Sequence, residues 1–584
     1  MVPDAPIDGI QPSVKPEDRS GDFTFTRGSN LSATRVNKSQ LIEKGRENLL
    51  TYSNDFSQGV WLTNNASVAS GQSGYDGSNN AWALISTATN SRHRIVQTFT
   101  GGSSSVVTYS VFAKSNGYNF IRIIENASTG DFATFNLLSG SVANNTGIAN
   151  TAIIASVGNG WYRCSISVAG ANTTRFDIYA METSGSTDFL GDGVSGAYIQ
   201  DAQAELGLAA TSVITTGAGT VQAGLLENTP RLDYSGGATC PSLLLEPSRT
   251  NIFSQSEYYN TYWNRSNSSV ANNQSTSPEG LINASVLSVV SPSQAGINVL
   301  SSWSDSTTYT MSAFVKKKIG SYIGFGLYGN TLGDNWVKWN LDNGTSTINN
   351  LWTNANFEDY GNGWYRISAT ITTTTGNTSR SGFKLNPMKN SSYSNGNVGD
   401  EVYIYGVQLE SNASYPTSYI PTYGTSQTRS ADISKLTGSN FTDVFSGNGT
   451  IYTNFENKDN AEAIGYWARG SSGGTYGDMI KTAFSVSNRL QVEVRANQVS
   501  QVVYNSAVTS IGFHKVAVSY NNGDVVIYMD GVKLATYEDK TMPDLNELYI
   551  GQYIDTNFRS ATKKEFLIFP TALSDDECIA LTTI

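Results

Sequence analysis

One hexapeptide occurs twice in this chain, first as Gly158-Asn159-Gly160-Trp161-Tyr162-Arg163 and again, 203 residues later, at residues 361–366. The Gly-Asn-Gly half predicts a tight turn, because glycine and asparagine adopt positive φ angles at little cost. The second half predicts the start of a strand whose large rings pack inward. Such an identical copy indicates that the chain contains a duplicated unit.

Flanking segments repeat in the same order and at nearly the same spacing. The matching pairs are residues 48–50 and 251–253, residues 110–114 and 312–316, residues 203–205 and 408–410, and residues 211–214 and 417–420. Within each unit, short β-branched or aromatic runs are separated by clusters of Gly, Asn and Ser, as in antiparallel sandwiches. We therefore predict two homologous domains, at residues 46–216 and 249–423.

The hydrophobic pattern inside these units predicts strands. Residues 176–180 and 383–385 alternate apolar and polar side chains, which predicts one buried and one solvated face. Residues 111–113 are apolar throughout, which predicts a central strand. We predict an all-β fold class, with tandem antiparallel jelly-roll sandwiches of the carbohydrate-binding-module type.

Residues 430–584 have a different pattern. Alternating residues 515–520 lead into an Asn-Gly turn at residues 522–523, and an Asp-Gly turn at residues 530–531 leads into a third strand, which predicts a three-stranded meander. Ser574 and Glu577 have the spacing of a helix capping box. The last strand is therefore expected to run into one short helix.

Composition and charge exclude several classes of protein. A length of 584 residues suggests three or four domains. Charged residues are 15% of the chain, yet hydrophobic residues reach 39%, which is too many for a disordered protein. The net charge of -11 argues against a nucleic-acid partner, because binding to phosphates needs clustered Lys and Arg. The first residues lack a signal-peptide pattern and no window approaches 18 apolar residues, so we expect a soluble chain without Sec export or membrane insertion.

Metal and catalytic motifs are missing from the sequence. Cys164, Cys240 and Cys578 lie far apart without a CxxC pair, so neither a disulfide framework nor a thiolate zinc site is expected, and we predict three buried thiols. His93 and His514 are predicted to be structural, and no HExxH, GxSxG or P-loop motif is present. We therefore expect a protein that is not an enzyme.

The C-terminal segment resembles a known family. Residues 516–534, 566–569 and 572–577 are similar to the concanavalin A-like, laminin-G-type lectin sandwich. The similarity covers most of residues 430–584. It implies a third β-sandwich with a lectin-like architecture.

A second resemblance concerns the segments on either side of the first domain. Residues 23–43 and 229–251 are similar to a recurrent stretch of bacteriophage tail and virion fibre proteins, in which a Trp-Tyr-Arg sandwich follows that ends as residues 407–410 and 417–422 do here. The stretch is split in this chain, so the first sandwich is expected to be an insertion. The resemblance implies a tail or head fibre or decoration protein of a virion, assembled in the bacterial cytoplasm and released by lysis.

This resemblance also implies how the remaining segments are used. Residues 1–45 would attach the protein to other virion proteins or drive oligomerisation, and a homotrimer is expected because fibres are commonly trimeric. Residues 217–248, with several glycines and prolines, would link the sandwiches. The sandwiches would face host or environmental glycans.

Sugar binding needs aromatic rings for the pyranose faces and polar groups for the hydroxyls. Trp161 and Trp364, with Tyr162 and Tyr365, repeat between the two sandwiches, which favours a shared core role. We place the carbohydrate-binding residues instead in loop-like segments of the last domain. These candidates are Tyr466, Trp467, Arg469, Tyr476, Asp478, Tyr553 and Asp555.

Three functions remain open at this point. Multivalent adhesion to glycans is the first, and a purely structural decoration protein without glycan affinity is the second. A polysaccharide depolymerase is the third, but it needs two carboxylates about 5–10 Å apart that the sequence does not locate. Acidic residues 575–577 are better explained by the helix dipole. No cofactor is expected; related sandwiches often hold structural calcium, but no EF-hand spacing is present.

Overall fold

The computed structural model describes most of the chain. The described residues are 10–11, 21–101, 105–127, 129–170, 174–260, 262–292, 295–300, 304–328, 336–349, 351–373, 382–389, 396–445, 447–458, 462–470, 477–551 and 561–584. The predicted all-β class is confirmed, since strands account for nearly all regular structure. The helical segments in these ranges are a 3-10 turn at Ser235–Gly237 and α-helices at Ser439–Thr442 and Asp575–Thr582. None of the helices so described is long and apolar enough to cross a bilayer.

The first sandwich consists of two six-stranded antiparallel sheets, which we call its front and back sheets. The front sheet runs, in spatial order, Ser141–Asn145, Phe132–Asn136, Phe120–Glu125, Arg175–Met181, Arg94–Thr98 and Leu62–Asn64. The back sheet runs Ile153–Gly158, Trp161–Ala169, Val106–Asn116, Gly196–Leu206, Ala81–Ser86 and Ala66–Gln72. The apolar core lies between the two sheets and includes Tyr109, Ile123 and Ile178.

The second sandwich repeats this arrangement strand for strand. Its front sheet runs Ser346–Ile348, Trp336–Asn340, Tyr322–Tyr328, Gly382–Met388, Gly296–Leu300 and Asn264–Ser266. Its back sheet runs Trp352–Asp359, Trp364–Thr372, Thr308–Ile319, Glu401–Ser411, Ile282–Val289 and Ser268–Thr276. The duplicated sequence therefore has a duplicated topology. Val106–Asn116, which contains the run predicted as a central strand, does lie inside its sheet.

The C-terminal sandwich has an eight-stranded and a seven-stranded sheet. The eight-stranded sheet runs Ile10–Gln11, Phe23–Thr26, Ile433–Thr437, Glu547–Ile550, Ala463–Arg469, Met479–Phe484, Arg489–Ala496 and Val499–Val508. The seven-stranded sheet runs Leu232–Asp233, Ser242–Leu245, Ala561–Phe569, Gly449–Asn457, Gly512–Asn521, Asp524–Met529 and Val532–Tyr537. Four of these strands come from residues 1–45 and 217–248. The segments predicted for attachment and linking thus also build the C-terminal sandwich.

Four two-stranded ribbons complete the described strands. They are Asn90–Arg92 with Asp188–Leu190, Thr34–Val36 with Ile42–Lys44, Arg46–Asn48 with Val221–Ala223, and Arg249–Asn251 with Gln427–Arg429. We call residues 21–48 the N-terminal arm. Its Ile42 and Lys44 lie on the back sheet of the second sandwich, where the Lys44 amine is 2.7 Å from the carboxylates of Glu257 and Glu279.

The predicted turns and the predicted cap are confirmed. Both Gly-Asn-Gly turns have three consecutive positive φ angles, with Asn159 at 53° and Asn362 at 54°. The meander of residues 512–537 turns at positions 522–523 and 530–531, where φ is positive as in hairpin turns of the primed types. Ser574 and Glu577 form a complete capping box at the start of the last helix.

Two predictions are wrong. Arg175–Met181 and Gly382–Met388 are buried on both faces, whereas alternation predicted one solvated face, because their outward polar side chains pair with neighbours on the same sheet. Cys164 and Cys578 are buried as predicted, but Cys240 is exposed, since it lies in an irregular segment before a strand begins.

A buried ion cluster joins the arm to both of the later sandwiches. The Arg231 Nη1 atom lies 2.7 Å from Glu246 Oε2, and the Arg429 Nη1 atom lies 2.9 Å from the same oxygen. Asp432 pairs with Arg231 on one side and with Arg27 on the other. Burial alone would raise the pKa of Glu246, but the two guanidiniums outweigh burial and lower that pKa. These charges are stable in the interior only because each has its partners.

Candidate functional site

The strand Ala463–Arg469 carries three of the residues predicted to bind carbohydrate, and it is not a loop. Tyr466 is fully buried in the core between the two sheets, next to Phe566. A ring in that position has no access to a ligand, so Tyr466 is not a contact residue. Trp467 and Arg469 point to the opposite, outer face of the eight-stranded sheet.

On that outer face, Trp467, Met479 and Tyr549 form a small cluster, which we call the Trp467 patch. The Trp467 and Tyr549 ring centroids are 5.9 Å apart, and the Trp467 Nε1–H donates to Met479 Sδ at 3.1 Å. The Arg469 guanidinium lies 4.9 Å from the Trp467 centroid and 5.1 Å from that of Tyr549. Because Trp467 is 1% and Tyr549 is 3% exposed, Arg469 is the more accessible part of the patch.

Polar groups surround the patch. Glu547 pairs with Arg469 and accepts a hydrogen bond of 2.9 Å from the Tyr549 hydroxyl. On a neighbouring strand, Arg495 pairs with Glu493 at 3.3 Å. The patch therefore combines aromatic rings with charged hydrogen-bonding groups, which is the composition that sugar recognition requires.

Of the remaining predicted site residues, the structure describes Asp478. Asp478 is half-buried and accepts a backbone N–H from Gln498 at 3.1 Å. Tyr476, Tyr553 and Asp555 lie outside the described residues.

The front sheet of the second sandwich carries a similar pairing that sequence reasoning missed. Its outward positions 324 and 326 are glycines, and a Cβ at Gly326 would clash with the Trp336 ring. The Lys384 amine lies 5.8 Å from the Trp336 centroid, and burial lowers the pKa of Lys384 to about 8. Asn298 is directly opposite Lys384 in the neighbouring strand.

The first sandwich has an aromatic ring at the equivalent position. Strand register places Phe132 where the second sandwich has Trp336, and Arg122 where it has Gly324. The Arg122 guanidinium lies 4.3 Å from the Phe132 centroid, and its Nε–H donates to Thr134 Oγ1 at 2.6 Å. The sequence contained a signal for this outer face, because the alternation of residues 176–180 identifies which side chains of that strand point outward.

The repeated tryptophans have a different role. Trp161 and Trp364 are both buried, which agrees with a shared structural role, but they lie on the outer faces of the back sheets and not in the cores between the sheets, where their rings were predicted to pack. The Trp364 Nε1–H donates to the Thr276 carbonyl at 2.9 Å.

Ser510, His514 and Asp530 lie together in an order that resembles a catalytic triad. The His514 Nδ1 atom is 2.5 Å from Asp530 Oδ2, and its Nε2 atom is 2.9 Å from the Ser510 carbonyl oxygen. Both ring nitrogens thus face acceptors, although Nε2 also lies 3.4 Å from the Ser510 hydroxyl oxygen, and the hydrogen bond to Asp530 raises the pKa of His514, which favours the ring with hydrogen on both nitrogens. A ring in this state has no lone pair to accept a proton from the Ser510 hydroxyl. The cluster is therefore an ion pair.

Within the described ranges, no group of three or more His, Cys, Asp or Glu side chains is arranged to hold a metal ion. The calcium expectation and the cofactor expectation remain predictions.

No protein-family profile matches the chain, and no curated protein matches it in sequence. Several solved structures are similar to part of it. The CBM40 module of the Ruminococcus gnavus IT-sialidase has 16% identity and a TM-score of 0.22, covering 25% of this chain and 87% of the module. A point mutant of NanB sialidase from Streptococcus pneumoniae has 14% identity and a TM-score of 0.22, covering 26% of each chain. A pentraxin from Limulus polyphemus has 12% identity and a TM-score of 0.20, covering 23% of this chain and 70% of the pentraxin. Similarity at this level assigns no function to the chain.

Proposed function

We propose that this chain is a non-enzymatic surface protein of a phage virion, a fibre or decoration subunit, that adheres to host or environmental glycans. One observation carries the proposal. Each of the three sandwiches places a cation over an aromatic ring on the outer face of a sheet, with Arg122 over Phe132, Lys384 near Trp336, and Arg469 over Trp467.

These pairs suit sugars for a physical reason. The C–H face of a pyranose packs on an aromatic ring, while guanidinium, ammonium and amide groups donate to its hydroxyls. One shallow contact of this kind is weak. Three on one chain, multiplied by the copies on a particle, give avid adhesion because later contacts form at high effective concentration.

The virion assignment rests on the resemblance of residues 23–43 and 229–251 to tail and virion fibre proteins. The same resemblance is the basis for proposing that the protein attaches to other virion proteins, forms homotrimers and leaves the host by lysis.

A second candidate, a structural decoration protein without glycan affinity, is favoured by one observation. Trp467 and Tyr549 expose almost none of their rings, and Trp336 is also buried. A sugar would have to bind at the rims of these pairs, through Arg469 and its neighbours, rather than on open ring faces.

The experiment is to incubate the purified chain with polysaccharides and whole cells of candidate bacterial hosts, measuring bound protein and released reducing sugar in one tube. We expect saturable binding without release. The variants Arg469→Gln and Lys384→Gln should each weaken binding. Arg489→Gln is the matched control, since this arginine is exposed and its guanidinium donates to the Ser506 carbonyl, away from the aromatic pairs.

Each other outcome has a clear meaning. Release of reducing sugar overturns the non-enzymatic proposal and favours a depolymerase. Stable association with particles and no glycan affinity favours the structural candidate.

A further inference from the structure

The front sheet of the first sandwich has an unusual row of outward side chains. Strand register aligns five of them across five strands, in the order Thr134, Arg122, Tyr179, Arg94 and Asn64. Neighbouring strands are about 4.8 Å apart, so the two arginines are about 10 Å apart at the backbone. This spacing is comparable with the length of a disaccharide.

Arginines outnumber carboxylates in this region, although the buried Glu125 also acts electrostatically on Arg175. Asp177 is fully buried and receives both Nε (2.7 Å) and Nη2 (3.0 Å) of Arg175, and its Oδ2 atom also accepts from Arg94 Nη1 at 2.7 Å. Arg122 has no carboxylate partner in the part of the chain that the structure describes. Arg92, at the edge of the sheet, pairs with Asp188 at 3.3 Å.

One arginine can pair with both oxygens of one carboxylate, and Arg175 already donates hydrogen bonds to both oxygens of Asp177. The further guanidiniums, Arg94 and Arg122, therefore do more than neutralise Asp177. This local excess of positive charge occurs in a chain whose net charge is -11.

These arginines also retain donors that can reach a ligand. Among the described residues, Nη2 of Arg94, Nη1 of Arg122 and Nη1 of Arg175 have no hydrogen-bond partner. The side chains of Arg94 and Arg175 are 16% and 27% exposed, so solvent reaches both. Burial lowers the pKa of Arg122, which means that its charge is held at a cost in solvation that an anion would offset.

Apolar groups border the arginines at both ends. Leu62 is 61% exposed and lies opposite Val96 on the same face as Arg94. Phe132 is half-buried at the other end, against Arg122. They supply the apolar contact that the C–H face of a sugar ring requires.

We propose that the front face of the first sandwich binds an acidic glycan, with the anionic group of a sugar, a carboxylate or a sulfate ester, held between Arg94, Arg122 and Arg175. This inference rests on the proposed function and names the ligand class of one of its sites. The second sandwich has glycine at the position of Arg122, so its equivalent face lacks this guanidinium. The two duplicated sandwiches thus present different side chains on equivalent faces.

The test uses the full chain and a defined set of probes. They are an oligosaccharide of alternating glucuronic acid and N-acetylglucosamine, the same oligosaccharide with its carboxyl groups reduced to alcohols, a sulfated galactan oligosaccharide, and inorganic sulfate. The variants are Arg94→Gln and Arg122→Gln, with Arg489→Gln as the matched control in another sandwich. Thermal unfolding of each variant shows whether it is folded, and Arg175 still pairs with Asp177 in both.

We expect the acidic oligosaccharide to bind about tenfold or more tightly than its reduced form, and each front-face variant to lose about tenfold, as for loss of a charge-assisted hydrogen bond. Arg489→Gln should bind like the wild type. Tighter binding of the galactan would assign the anion as a sulfate ester, and tighter binding of the uronate as a carboxylate.

Several outcomes would overturn the inference. One is equal binding of the acidic and reduced forms, and another is wild-type affinity in both folded variants. Inorganic sulfate that competes as well as the oligosaccharides would reduce the face to a simple anion site. If neutral glycans bind and acidic ones are not preferred, only this inference fails; if no glycan binds, the proposed function fails with it.

Discussion

His514 and Asp530 form an ion pair whose contribution to stability should depend on pH. The pKa of His514 is raised in the folded state, mainly by its hydrogen bond to Asp530. The pair therefore stabilises the fold fully below the ordinary histidine pKa of about 6.5 and loses this contribution as pH rises through the folded pKa. We expect Asp530→Asn to cost about 1 kcal/mol of unfolding free energy at pH 5.5 and less at pH 9.

Thermal unfolding at the two pH values checks this. Asp524→Asn, at an exposed aspartate in the same sandwich, is the control and should have a small effect at both. An equal loss for Asp530→Asn at pH 5.5 and pH 9 would contradict the assignment of a charged His514.

At this scale the sequence identifies residue types but not the face on which each lies. Tyr466 and Trp467 are adjacent aromatic residues, and both were predicted to contact sugar. A β-bulge between Ile464 and Tyr466 shifts the register, so Tyr466 enters the core and Trp467 points outward. A bulge depends on the partner strands, and a single sequence does not reveal it.

Among the elements, the strand Phe23–Thr26 leads to the strongest prediction about stability. Phe25 is buried in the core of the C-terminal sandwich, although its strand lies at the other end of the chain. We expect Phe25→Ala to cost about 3–5 kcal/mol, because it leaves a cavity in that core. Hydrogen exchange would show lost protection in Ile433–Thr437 and its neighbours.

Phe135→Ala is the matched control, since Phe135 is buried in the core of the first sandwich. It should lower protection there and leave Ile433–Thr437 unchanged. If Phe25→Ala leaves protection in the C-terminal sandwich intact, the arm is not part of its core.

Elements held by local interactions could be predicted from the sequence. The Gly-Asn-Gly turns, the meander and the capping box each depend on residues a few positions apart. The strands that the arm and residues 232–245 add to the C-terminal sandwich could not, because their partners lie far away in sequence. The charged front faces were missed for a related reason, since alternation shows which side chains point outward but not what they meet.

In the whole molecule, the ion cluster around Asp432 and Glu246 holds the sandwiches and the arm together. Asp432→Asn would leave the buried Arg27 without a carboxylate partner and Arg231 with Glu246 alone. We expect a loss of about 3 kcal/mol or more, and faster limited proteolysis between the second and the C-terminal sandwich.

Asp342→Asn is the control, because Asp342 pairs with Lys317 at the surface and such pairs contribute about 1 kcal/mol or less. Calorimetry and limited proteolysis of the two variants, measured side by side, test whether the ion cluster couples the sandwiches. If they behave alike, the cluster does not couple the sandwiches.

The position of the N-terminal arm also affects how the chain folds during its synthesis. Thr24 meets Lys435, a residue 411 positions later. At about 5–20 residues per second, a ribosome needs about 20–80 s to make the intervening chain. During that interval a newly made strand with two phenylalanines, Phe23 and Phe25, lacks its partner Ile433–Thr437, so this edge is open to aggregation until the last sandwich emerges.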